Sequence, residues 1–245
     1  MMESIRKVAV VTGGTKGIGR AVVLGLLQRG YFVYTNYAHD ELAAKELQEA
    51  SGDLFEKVKI VKADQSDKKA FADFVAFIQH NESAIHCIVC NSGITVRKPM
   101  PELDDDDWEK TMRVSVYSHF YLIQSLYSSI QPDSRIVFIG SMLGIQPHAT
   151  SLPYGVSKAA VHMLAKSLVK EFEGTGTTVN AIAPGFVETE WQKNKPKEIR
   201  ENIYRKTACK RFASSQEVES AVLFCLDNAF LNGAIIEVNG GYSYR

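Results

Sequence analysis

Short apolar runs rich in β-branched residues alternate along the chain with longer segments whose apolar residues recur every three or four positions. The runs KVAVVTGG, YFVYTNY, VKIVKAD, IHCIVCNSG, SRIVFIGS, TVNAIAPG and GAIIEVNGG read as strands. Between them, helical spacing predicts helices over residues 17–29, 40–51, 67–80 and about 105–129, one opened by Tyr154, and one near 215–226. The strand runs are almost continuously apolar, so both faces of the sheet must be covered. Right-handed strand–helix–strand crossovers then give an α/β fold with a doubly wound parallel sheet of about seven strands and helices on both faces.

No repeat, low-complexity tract or linker divides the sequence, so residues 1–245 are expected to form one domain. The segment 186–211 breaks the rhythm: it is polar, contains Pro196, and lies between a strand end and the last helix. A loop of that length inside a compact domain is most often a lid or binding loop, and a substrate lid is expected here.

Charge narrows the possibilities. The formal net charge is zero, whereas a binder of nucleic-acid backbone normally shows a basic excess. The acidic run Asp104–Asp107 precedes WEKTM and reads as a helix start, where carboxylates complement the helix dipole. No run approaches the length of a membrane span, and MMESIRKVAVVTGG has no signal-peptide core, so a cytoplasmic protein is expected. Cys87 and Cys90 form a C-x-x-C, but residues three apart on a strand point to opposite faces, so both are read as packing residues. The six histidines show no metal-ligand grouping, and no metal is expected. His162 reads as helix surface or interface, and His148 as a candidate substrate contact.

Chemistry concentrates at two places. Gly13, Gly17 and Gly19 fall in the turn between the first strand and its helix. Glycines there let backbone N–H groups approach a pyrophosphate at the helix N-terminus, which makes the fold Rossmann-like. Tyr154 and Lys158 are four apart and share one helical face. A lysine ammonium there is expected to lower the tyrosine pKa and tune it as an acid–base group. Ser141, at a strand end thirteen residues before Tyr154, is a second donor for a substrate oxygen.

Taken together, T-G-x-x-x-G-I-G from Thr12 to Gly19, CNSG at 90–93, Ser141, Y-x-x-x-K at 154–158 and PG at 184–185 resemble the short-chain dehydrogenase/reductase family over essentially the full chain. Within it, TGGTKGIGRA, NYA and IAPGFVET are most similar to the 3-oxoacyl-[acyl-carrier-protein] reductases. The resemblance implies reduction of a ketone, with catalytic Ser141, Tyr154 and Lys158. It places Thr12, Gly13, Lys16, Gly17, Ile18, Gly19, Asn36, Tyr37, Asp64, Gln65, Asn91, Ser92 and Gly93 along a nicotinamide dinucleotide. Tyr154 and Lys158 also face it, with Pro184, Gly185, Val187 and Thr189 at the nicotinamide end.

NADPH is the expected cofactor and NADH the alternative. Tyr37, eighteen residues after Gly19, stands where a carboxylate would bind the ribose 2′-OH, and Lys16 supplies a cation nearby. The family's usual asparagine, which holds a water linking the lysine to solvent, is replaced by Ser115. The resemblance further implies a homotetramer or dimer and an acyl carrier protein as partner, met by Lys193, Lys195, Lys197 and Arg200. Two alternatives stand beside this reading: a reductase or dehydrogenase of another small alcohol or ketone, and a weakly catalytic cofactor-binding partner protein.

Overall fold

The computed structural model describes residues 6–147, 151–242 and 244. Seven parallel strands form one sheet in the order β3-β2-β1-β4-β5-β6-β7. They are β1 (Val8–Val11), β2 (Phe32–Tyr37), β3 (Val58–Lys62), β4 (Ile85–Cys90), β5 (Ile130–Ile139), β6 (Thr178–Pro184) and β7 (Ile235–Val238). The sheet is Rossmann-like, as the apolar runs predict.

Alternation along each strand splits the core into two layers. Val8, Val10, Ile88, Phe138 and Ala181 face α3 (Lys68–Asn81), α5 (Ser118–Leu126) and α6 (Leu152–Glu171). Ala9, Val11, Val89, Val137 and Ile182 face α1 (Gly17–Gln28), α2 (Glu41–Ala50) and α9 (Ser215–Asp227). Cys87 and Cys90 lie in opposite layers, both buried and both free thiols, so the C-x-x-C is packing.

Strand order reverses beside β1, between the paths leading to β2 and to β4, and there the carboxyl ends open a crevice. The two strands are laced at that point: Thr12 N–H donates to the Val89 carbonyl at 3.0 Å, and Asn91 N–H to Thr12 Oγ1 at 2.9 Å.

Two expectations need correction. The helix predicted over 105–129 is interrupted: α4 (Asp105–Met112) passes into a π-helical turn at Arg113–Tyr117 before α5 begins. The extra residue in that turn rotates Ser115, Ser118 and His119 inward, all of them buried. The segment after β6, where a substrate lid is expected, has secondary structure of its own, α7 (Glu190–Lys193) and α8 (Lys197–Lys206). Its base is pinched by a bridge between Val187 and Ala213, with Ala213 N–H donating to Phe186 O and Glu188 N–H to Ala213 O. α7 is only four residues long and α8 is polar over most of its length, so neither leaves a strong mark in the sequence.

Candidate active site

The glycine-rich turn is braced from β2. Gly13 has φ +62° and Gly17 φ +51°, the left-handed region that side chains avoid. Gly14 N–H donates to Thr35 Oγ1 at 2.9 Å, and Gly13 N–H to Asn36 Oδ1 at 3.1 Å. A Cβ on Gly19 would collide with the Gly13 carbonyl and lie 2.5 Å from Asn91 Nδ2. At the start of α1, Lys16 is the N-cap with no side-chain cap bond, which leaves first-turn N–H groups for an anion. Thr189 from the lid reaches over this turn, its Cγ2 3.1 Å from where a Gly17 Cβ would sit. This cradle fits a dinucleotide pyrophosphate, with Gly17, Ile18 and Gly19 holding it.

The neighbouring candidates divide by burial. Asn36 is turned inward and braces the turn, its Nδ2 donating to the Ala63 carbonyl at 2.7 Å. Gln65 is also buried, donating to Ser118 Oγ at 2.7 Å. Both are thus committed to the protein's own hydrogen bonds at the back of the crevice. Tyr37 is half-buried at the tip of β2. Asp64 pairs with His39 at 3.0 Å, and exposed Lys16 pairs with Asp40, the N-cap of α2.

Tyr154 lies in the first turn of α6, and Lys158 follows one turn later. The Lys158 ammonium donates to the Ile139 carbonyl at 2.7 Å and lies 5.7 Å from the Tyr154 ring centroid. It also faces Gly93, where a Cβ would sit 3.2 Å from Nζ and 3.7 Å from Ser115 Oγ. Burial drives the Lys158 pKa down to about 8. The Tyr154 phenol is pushed up to about 12 by burial, against the lowering effects of the Ser141 hydroxyl and the Arg97 charge. Here the structure corrects the simple tuning picture. Desolvation dominates, Ser141 is the first group to oppose it, and the tyrosine is held in its acid form.

Ser141 is fixed on two sides. Its Oγ accepts from Leu143 N–H at 3.1 Å, and its own N–H donates to His162 Nε2 at 3.4 Å. His162 is therefore neither surface nor interface as the sequence suggested; it is buried under the site. The signal was its i+4 spacing from Lys158, which puts it on the same inward face.

His119 is a second buried histidine that the sequence reading passed over. Thr12 Oγ1 already accepts from Asn91 N–H and Ser92 N–H, so its own proton goes to His119 Nε2, 3.3 Å away. That assigns the ring proton to Nδ1. Burial and the Lys158 charge depress the His119 pKa to about 3, so the ring is neutral. Its Nδ1 and the hydroxyl of Ser115, one turn earlier, are buried with no hydrogen-bond partner among the described residues.

The lid closes over this group. Trp191 on α7 stands against the Tyr154 ring, and Val187 is buried at the lid base. Gly185, after Pro184, is needed for close approach, since a Cβ there would lie 2.8 Å from Asn239 Cα. The basic patch expected on the lid is largely neutralised. Arg200 pairs with Glu188, Lys193 with Glu190 at 3.4 Å, and Lys197 with Glu201 at 3.8 Å. His148 lies outside the described residues. Among the described residues no His, Cys, Asp and Glu grouping could hold a metal, and no helix is long and apolar enough to cross a membrane.

A crevice at the strand-order reversal, an anion cradle, and a Ser–Tyr–Lys group beyond β5 define a nucleotide-dependent oxidoreductase of the Rossmann type. The short chain dehydrogenase profile matches residues 7–200, and the chain belongs to that family. It is accordingly an oxidoreductase that interconverts a ketone and an alcohol with a nicotinamide cofactor.

Relatives agree on the family and diverge on substrate. The chain is 31% identical to an acetoacetyl-CoA reductase of Rhizobium meliloti, covering 96% of this chain and 98% of the relative. It is 30% identical to a 3-oxoacyl-[acyl-carrier-protein] reductase of Haemophilus influenzae, with 96% and 97% covered. It is also 30% identical to a 2-dehydro-3-deoxy-D-gluconate 5-dehydrogenase of Pseudoalteromonas atlantica, with 98% and 96% covered. Among solved structures, a short chain dehydrogenase from Burkholderia cenocepacia in complex with NADP superposes with a TM-score of 0.90 at 25% identity, covering 96% of this chain and 97% of that one.

Proposed function

We propose that the protein reduces a ketone to a secondary alcohol with NADPH, and that the ketone is the 3-oxo group of an acyl thioester. The observation that carries the reaction is the convergence of Ser141, Tyr154 and Lys158 with Gly93 at the mouth of the glycine-rich crevice. The bound cofactor supplies a hydride to the carbonyl carbon. Ser141 donates a hydrogen bond to the carbonyl oxygen as charge develops there, and Tyr154 delivers its proton to that oxygen. Lys158 stabilises the tyrosinate left behind. A phenol held at about 12 is protonated at neutral pH, the form that can deliver a proton to the carbonyl oxygen.

Support for NADPH comes from Tyr37 at the tip of β2, where a carboxylate would repel a 2′-phosphate, and from Lys16 beside it. The Lys16–Asp40 pair means that such a phosphate would compete with a carboxylate for this cation. Support for a thioester comes from the acetoacetyl-CoA and 3-oxoacyl reductases among the relatives. An acyl carrier protein as the carrier, and with it a role in fatty acid synthesis, rests on those relatives alone, because the lid cations are mostly paired. The equally similar gluconate dehydrogenase favours a second reading, oxidoreduction of a sugar acid. A homotetramer is proposed from exposed Phe120 and Tyr121 on α5 and Val156 and Met163 on α6, a surface suited to packing against copies of this chain. Light scattering tests it.

The test of function is NADPH and NADH consumption against a panel of acetoacetyl thioesters and simple ketones, beside NADP and NAD reduction against 2-dehydro-3-deoxy sugar acids. The proposal expects thioester reduction with NADPH. Turnover confined to the sugar acid would replace it.

A further inference from the structure

Strand β5 ends at Ile139, and the ladder to β6 continues for one residue, with Gly140 N–H donating to the Ile182 carbonyl at 2.7 Å. At the next position, Ser141, the N–H donates instead to the side chain of His162 on α6. An imidazole thus supplies the acceptor that a strand carbonyl supplies one residue earlier. Without it, the Ser141 N–H would be a buried donor with no partner.

The imidazole reaches this backbone because residue 140 is glycine. A Cβ on Gly140 would collide with His162 Nε2 and lie 2.5 Å from its Cδ2. Because Ser141 N–H is the donor, Nε2 is unprotonated and the neutral ring carries its proton on Nδ1. The surroundings hold it there: burial first, then the charges of Lys158 and Lys166, push the His162 pKa down to about 4. The ring is therefore an acceptor throughout the neutral range.

Three groups of Ser141 are consequently committed. Its N–H is held by His162, one lone pair of Oγ by Leu143 N–H, and its hydroxyl bears on the Tyr154 phenol. We propose that His162 is a positioning residue of this active site: through its Nε2 bond to the Ser141 amide it sets the direction of the Ser141 hydroxyl toward Tyr154 and the substrate oxygen. This rests on the reductase reading above for its effect on turnover, but the bond itself is independent of substrate.

The test compares His162→Leu, which keeps bulk and removes the acceptor, with His162→Gln, which keeps an acceptor, and with Gly140→Ala, which blocks the approach. Each is assayed with NADPH and acetoacetyl-CoA for kcat and KM, across pH, beside its melting temperature. The Leu and Ala variants are expected to lose kcat by about ten- to hundredfold with the NADPH KM unchanged. Gln should restore most of kcat. Equal kcat loss in Leu and Gln would overturn the proposal. NMR of nitrogen-labelled histidine separates the two readings if acetoacetyl-CoA is not a substrate. An unprotonated Nε2 on His162 with a hydrogen-bonded shift supports the bond to Ser141, and a protonated Nε2 refutes it.

Discussion

The indole of Trp191 stands edge-on to the phenol of Tyr154, with ring centroids 5.9 Å apart and planes at 69°. The tryptophan lies on α7 and is about half exposed, so one face of the reacting group is covered by the segment after β6 rather than by the core. Trp191→Ala should admit water to Tyr154 and weaken ketone binding. We expect the ketone KM to rise by about tenfold, roughly the worth of one lost aromatic contact, with the NADPH KM unchanged. Steady-state kinetics read the split. Only two tryptophans are present, so quenching of Trp191 fluorescence by substrate offers a direct second measurement.

Lys158 is buried with its pKa drawn down to about 8. Its charge is therefore lost as pH rises through about 8, and with it the stabilisation of the tyrosinate. Reductase kcat should be level through neutrality and fall above pH 8, and Lys158→Met should abolish most turnover, by about a hundredfold or more. For stability the sign is opposite. The unfolded lysine holds its proton up to its ordinary value of 10.5, so between about 8 and 10.5 the unfolded chain binds more protons and this group's contribution improves as pH rises.

His119 and His162 set the acid side. Their folded pKa values, about 3 and about 4, lie below the ordinary 6.5. Between those limits the unfolded chain binds more protons than the folded one, so stability falls as pH drops below about 6.5. Melting temperature measured from pH 7 to pH 4 should decline, and His162→Gln should flatten part of that decline.

Lys16 and Asp40 form an exposed pair at the proposed 2′-phosphate end. Asp40→Ala frees the cation and should lower the NADPH KM a fewfold, while Lys16→Ala should raise it by about tenfold and leave NADH unaffected. Equal effects on both cofactors would remove Lys16 from the recognition of phosphate.

Ser115 is fully buried with its hydroxyl unpartnered, beside the opening kept by Gly93. Ser115→Asn is expected to leave kcat unchanged or raise it, since the amide oxygen adds an acceptor for the Lys158 ammonium or for a water bound to it. A loss of more than about tenfold would show that His119 has closed that space.

The strand runs and the glycine turn were legible because parallel strands buried on both faces are apolar throughout and the turn permits few residue types. Ser141, Tyr154 and Lys158 were legible by spacing. Harder to see were the π-turn at Arg113–Tyr117, which depends on an inserted residue in an unbroken helical pattern, and the inward direction of His119 that follows from it. The resemblance places Asn36 and Gln65 along the dinucleotide; that each is buried and bonded to its neighbours depends on tertiary contacts that residue spacing does not reveal. His162 was misread because a polar residue on a helix defaults to the surface, and only the glycine at position 140 makes room for it.

The most direct test of the account is NADPH oxidation by wild-type protein and by Tyr154→Phe, with acetoacetyl-CoA and with calorimetry of NADPH binding. The account predicts turnover by the wild type and a loss of about a hundredfold or more in the variant, with cofactor affinity retained. A Tyr154→Phe protein that reduces the thioester at the wild-type rate would contradict it.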